Sequence, residues 1–205
     1  MYIPPAFEET DRNKLFNFIE SHSFGLLISA AHDSLCATHL PLLVDRNAGP
    51  QGRLVGHVAR ANPHWRHLAG QQVLVIFSGA HAYVSPTWYQ TENVVPTWNY
   101  VAVHAYGNCT LVEDEQGIAQ IIQDTVETYE RSLPRPWTID SGTPFFERLA
   151  KMVVGIRIEL DRLEGKWKLG QNHPTPMRQN VAEILASQAS DDSREIARLM
   201  ADTLD

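Results

Sequence analysis

The chain has 205 residues, 43% of them hydrophobic and 20% charged, which excludes a disordered chain and allows one domain with a proper core or a domain plus a small appendage. With His neutral the net charge is −7, and no run of Lys and Arg occurs. An acidic body of this kind is poorly suited to non-specific phosphate-backbone binding, so direct DNA binding by this chain is doubtful.

Two cysteines, Cys36 and Cys109, sit in apolar strand-like stretches without a CxxC or Cys/His cluster, so neither a disulfide framework nor a zinc knuckle is indicated. Met1 to Phe7 reads MYIPPAF, without a basic leader. No apolar run approaches the ~20 residues needed to span a bilayer, and a cytoplasmic protein without membrane contact is expected.

In chain order, Thr10 is placed to cap a helix carrying Leu15, Phe16, Phe18 and Ile19, ending near His22. "SFGLLISA" and "SLCATHLPLLVD" then read as two strands around a turn at Ala31-His32-Asp33, and "RLVGHVAR" as a third. In "ANPHWRHLAG", Asn62 suits an N-cap, Pro63 the first helical position and Gly70 a stop. "QQVLVIFSG" and "AYVSPTWY" read as two further strands, and a long one runs to about Val112. Ile118, Ile121, Ile122, Thr125, Val126 and Tyr129 fall on one helical face. A short helix over Phe145 to Met152 and the strand "VVGIRIELDRLEGKW" follow. The tail carries two weakly amphipathic helices, expected to pack on the body or on a partner subunit. Domains are expected at 1–176, with a helical tail at 177–205.

Six to eight strands joined mostly by short links argue for antiparallel pairing, and closure into a small barrel removes the exposed edges. The expected class is mainly β with peripheral helices.

The common signatures GxGxxG, GxxxxGK[ST], GxSxG and HExxH are missing, and no nucleophile–base–orienter set stands out. His64 and His67, at i and i+3, lack a third ligand at metal-site spacing, so no metal is expected. What recurs instead is polar-aromatic clustering, at residues 36–43, 56–65, 78–89, 95–100 and 166–172. Their cations, amides, hydroxyls and flat rings suit a phosphate-bearing aromatic cofactor.

The motifs "MYIPPAF", "HLPLL", "GHVARANPHW", "AYVSPTWY", "VPTWNY" and "KWKLGQN" resemble, in that order, the PaiB-type FMN-binding negative transcriptional regulators, from Met1 to about Met177. Gly170 departs from the family pattern, which has a small hydroxyl residue at that place. The resemblance implies the FMN-binding split β-barrel, with FMN as cofactor and a homodimer carrying a flavin site at each end of its interface. By analogy His39 and Leu40 lie beside the flavin ring. Arg60, Asn62 and His64 face the phosphate or ribityl chain. Ser85, Thr97, Trp98 and Asn99 line the pocket, and Lys166, Lys168, Gln171 and Asn172 close it.

The resemblance implies a regulatory flavoprotein; with no basic recognition helix and a net charge of −7 it is expected to act through a partner or ligand. An FMN-dependent oxidoreductase or flavin reductase on the same barrel is the alternative, and heme binding, resting on nine histidines, is a weaker one.

Overall fold

The computed structural model describes residues 1–31 and 34–204, so His32 and Asp33 of the expected turn lie outside the described residues. Its strands are β1 (Glu8–Glu9), β2 (Phe24–Ala31), β3 (Ser34–Asp45), β4 (Arg53–Ala59), β5 (Gln72–Val84), β6 (Thr97–Val112) and β7 (Val153–Lys168). Its α-helices are α1 (Arg12–Ser21), α2 (Glu115–Glu130), α3 (Pro144–Ala150), α4 (Thr175–Ala186) and α5 (Asp191–Ala201). Among the described residues no helix is long and apolar enough to cross a membrane.

Two compact units are present. The first comprises Phe16–Phe77 and His104–Leu163. In it β2 pairs with β3 and β5, β3 with β4, and β4 with β7, all antiparallel. The strand order β7-β4-β3-β2-β5-β6 returns on itself because β6 also pairs with β7. Closure brings the backbones close at Gly107, where a Cβ would collide with the Glu159 carbonyl. The inward positions Leu27, Leu42, Leu54, Val75, Phe77, Ile156 and Ile158 are fully buried, as period-2 alternation requires. On α2 the buried face is shorter than its pattern predicts. Ile118 and Ile121 are buried, whereas Tyr129 is 41% exposed and meets Ser23 Oγ at 2.6 Å.

The second unit comprises Met1–Leu15, Ser78–Val103 and Glu164–Asp205. Here β1 adds to β7, with Glu8 opposite Lys166. The C-terminal helices bury Val181 and Leu185 of α4 and Ile196 and Met200 of α5.

Local chemistry shifts several boundaries. Asp11, not Thr10, caps α1, its carboxylate accepting from Asn13 N at 2.9 Å. Asn62 does cap its turn, accepting from His64 N, but Pro63–His67 is a 3-10 turn. The two strands expected on either side of Ala80-His81 form one continuous β5, and Pro86–Tyr89 is a 3-10 turn. Pro86 supplies no N–H to a ladder, and Ser85 caps the turn through Thr87 N.

Candidate functional site

A cavity of about 270 Å³ opens in the second unit. It is lined by Phe7 of the N-terminal 3-10 turn Pro5–Phe7, by Tyr89, Asn93, Val94 and Val95 between β5 and β6, by Thr97 and Asn99 at the start of β6, and by Lys168, Gly170, Asn172 and His173 at and after the end of β7. The start of β6 delivers Thr97 and Asn99 to one side and Trp98 to the other, because side chains alternate along a strand. Lys168 ends β7 with Nζ donating to Thr97 Oγ1 and to Trp98 O, each at 2.6 Å. Gly170 adopts φ +82, which lets the chain turn back past Asn99 so that Asn172 and His173 reach the cavity.

Electrostatics follow from partial burial. Burial first, and the neighbouring Lys166 charge second, push the Lys168 ammonium below the ordinary lysine value. Burial and then the charge of Lys168 lower His173, whose ring lies 4.7 Å from that of Tyr89. Burial raises Tyr89. Asn99 is 1% exposed; its Nδ2 donates to Met200 Sδ at 3.3 Å, while Oδ1 has no hydrogen-bond partner among the described residues. Such a buried acceptor is costly unless a donor reaches it.

Of the expected site residues in this unit, Thr97, Asn99, Lys168 and Asn172 share the cavity. Others hold its surroundings in place. Gln171 closes a tight turn, its Oε1 accepting from Leu169 N at 2.8 Å and its Nε2 donating to Trp167 O at 2.6 Å. Ser85 Oγ meets Thr87 Oγ1 at 2.9 Å. Lys166, 6% exposed, donates to Tyr2 O at 3.0 Å and sits 5.1 Å from the Tyr100 ring. Trp98 is 54% exposed, edge-on to Tyr83 at 5.9 Å.

Phe7, Tyr89 and His173 were not singled out from sequence, although the first two lie inside quoted motifs and His173 directly follows one. The signal was motif membership for Phe7 and Tyr89 and adjacency to a motif for His173, since nothing in their own spacing marks them as cavity walls.

The first unit gathers the remaining candidates differently. His64, 4% exposed, meets Ser29 Oγ through Nε2 and Thr38 Oγ1 through Nδ1, both at 2.8 Å. Asn62 Nδ2 donates to the same Thr38 oxygen at 3.0 Å. This network ties the "THLPLL" and "ANPHW" motifs together and occupies both ring nitrogens. Burial, then His67, lowers the His64 pKa. Arg60 donates to the carbonyls of Lys151 (3.1 Å) and Val153 (3.0 Å) and pairs with Glu113 at 3.3 Å. His39 stacks 6.1 Å from Phe24, and Leu40 is 3% exposed. A larger groove of about 500 Å³ lies beside Arg60, but Glu113, Glu115 and Glu147 outnumber Arg60 and Lys151 there. That balance opposes an anionic ligand, whereas the smaller cavity carries Lys168 and no carboxylate.

A family model described as "Putative FMN-binding domain" matches residues 1–162. The chain belongs to this FMN-binding family. As the motifs implied, it is PaiB-like. It is 36% identical over 206 residues, 100% of this chain and 98% of the other, to "Protease synthase and sporulation protein PAI 2" of Bacillus subtilis (strain 168). It is also 29% identical to an uncharacterised Aspergillus fumigatus protein, covering 89% of this chain and 90% of that one. Among solved structures it is similar to the FAD and heme binding protein from Mycobacterium smegmatis, with a TM-score of 0.61, 12% identity and coverage of 80% and 74%. The flavocytochrome Anf3 from Azotobacter vinelandii gives 0.58, 12%, 78% and 69%. At such identities these likenesses show the fold alone: the family is an FMN-binding one, and its barrel is the split barrel of flavin-binding proteins.

The cavity fits one end of that cofactor. Flat walls from Phe7, Tyr89 and His173, a cation at Lys168 and an unpartnered acceptor on Asn99 suit a planar heterocycle with N–H donors.

Proposed function

We propose that this chain is a regulatory flavoprotein of the PaiB type that holds the ring end of FMN in the cavity lined by Thr97, Asn99, Lys168, Asn172, Tyr89 and His173. The observation that carries this reading is the unpartnered Asn99 Oδ1 among four motif residues in one cavity. When bound, FMN supplies one- and two-electron redox chemistry that no side chain here provides. Lys168 supplies positive charge, Thr97 and Trp98 O hold that ammonium in place, and Asn99 accepts from a ring N–H.

A second protomer completes the site in this reading. About 270 Å³ is below the roughly 300–1,000 Å³ of small-molecule pockets, so one chain takes part of the cofactor and a cytoplasmic homodimer supplies further walls. Regulation proceeds through a protein partner or the flavin state rather than by gripping an operator, which the net charge of −7 supports.

The test is a visible spectrum of purified protein after incubation with FMN and desalting, with light scattering for mass. A stoichiometric flavin band on a dimer supports the proposal; folded protein that keeps no flavin overturns it. A gel shift at physiological salt should show no sequence-specific DNA complex, and a specific one would sink the indirect mode of regulation.

A further inference from the structure

The family match ends at residue 162, yet a residue of the C-terminal helices bonds directly to Asn99, which lines the cavity. Met200 of α5 is 1% exposed, and its thioether accepts the hydrogen bond from Asn99 Nδ2 at 3.3 Å. Sulfur is a weak acceptor and cannot donate, so the amide must turn its NH2 towards Met200. The opposite orientation would set the amide oxygen against the sulfur lone pairs and strand two donors. The thioether thus takes the Nδ2 end of Asn99, and the end left without a partner, on a residue that lines the cavity, is Oδ1, a buried acceptor.

Met200 is itself fixed. Its carbonyl accepts from Thr203 Oγ1 at 2.7 Å, and Thr203 Oγ1 accepts from Arg178 Nη2 of α4 at 2.6 Å. Arg178, Met200 and Asn99 converge on Gly170, where an added Cβ would lie 3.8, 3.9 and 4.0 Å from their nearest atoms. These are ordinary contact distances, so glycine is favoured at this turn by its φ of +82 rather than by lack of space. A C-terminal helix pair, a glycine turn and a strand residue therefore meet at one amide.

We propose that Met200 is a positioning residue that presents Asn99 Oδ1 to the cavity as a hydrogen-bond acceptor, so that α5 sets a preference for heterocycles bearing an imide N–H. This inference rests on the FMN reading above and deepens it, because oxidised flavin carries one such N–H, at N3. A ring lacking that donor leaves Oδ1 buried and unpaired.

The experiment compares FMN with N3-methyl-FMN by fluorescence titration of the full-length protein, alongside M200L and N99L. M200L keeps the volume and removes the acceptor; N99L removes the amide. Wild type should prefer FMN by on the order of tenfold, the scale of one buried hydrogen bond. In N99L the preference should fall to about one. In M200L it should fall below about threefold, with a melting temperature close to that of wild type. A preference unchanged in M200L overturns the proposal, and an unchanged preference in N99L does so even if M200L fails to fold. Wild type that binds both flavins equally sinks this inference alone, whereas wild type that binds neither sinks the FMN reading with it.

Discussion

Lys168 Nζ donates to Thr97 Oγ1 at 2.6 Å, joining the last residue of β7 to the first of β6 across 71 positions of sequence. Trp98 O takes a second donor of the same ammonium, so the cation is held at the cavity wall rather than waving in solvent. Removing it should matter more for ligand than for fold. K168M is expected to weaken FMN binding by about tenfold or more, in keeping with a charge-assisted contact, while circular dichroism stays that of wild type. Equal affinities in the two proteins would show that Lys168 takes no part.

The same lysine predicts a pH dependence. Burial and then Lys166 depress its pKa below the ordinary 10.5, so it loses its proton earlier than a free lysine on raising pH. FMN binding should therefore begin to weaken at a pH below 10.5, and K168M should remove the part of that dependence due to the lysine, leaving the part due to ionisation of the flavin N3–H. Titration of bound-flavin fluorescence from neutral to alkaline pH reads this directly.

His64 predicts an acid limit on stability. Its pKa is lowered in the folded state, so unfolding takes up a proton in the window between that lowered value and the ordinary 6.5. Stability is fully present above pH 6.5 and falls as pH drops through the window; His57 and His173 shift in the same direction. Melting temperatures should fall between pH 7 and 5, less steeply in H64A. At neutral pH that variant should lose about 2–4 kcal/mol, because Ser29, 3% exposed, is left without its partner. A flat profile in wild type would contradict this.

Gly107 tests barrel closure. Its backbone passes so near Glu159 that a methyl group meets the carbonyl oxygen, which no side-chain rotation relieves. G107A should cost about 3 kcal/mol or more, at or beyond the upper end of overpacking effects, read by urea unfolding. A loss under about 1 kcal/mol would mean that β6 and β7 part easily.

Arg60 separates scaffold from cofactor contact. Its guanidinium engages the Lys151 and Val153 carbonyls and Glu113. R60A is expected to destabilise by about 1–2 kcal/mol, discounted for partial exposure, and to change FMN affinity less than threefold. A large loss of affinity at full stability would instead make Arg60 a phosphate ligand.

Strands were legible wherever apolar residues alternated, as in Val101, Val103 and Ala105, because one buried face imposes a period of two. The break expected at Ala80-His81 did not occur, since a local weakness in propensity is overridden where the strand lies between two neighbours in the sheet. On α2 the periodic face extended further than its cover. Hydrophobic spacing reports which side of a helix is able to bury, not how far the neighbouring surface reaches.

By itself the sequence determined the family, the β-rich class and the short list of polar-aromatic motifs, because these depend on residue type and order. Only the tertiary structure decided which motif residues share a cavity. Thr97, Asn99, Lys168 and Asn172 line it, while His64, from an equally recognisable motif, is enclosed by Ser29 and Thr38. The same histidine, arginine or asparagine serves as ligand contact or buried brace according to the partners within about 3 Å, and those partners come from distant parts of the chain. Asn99 shows this most directly. Its role turns on Met200, 101 residues away, whose sulfur sets the orientation of its amide.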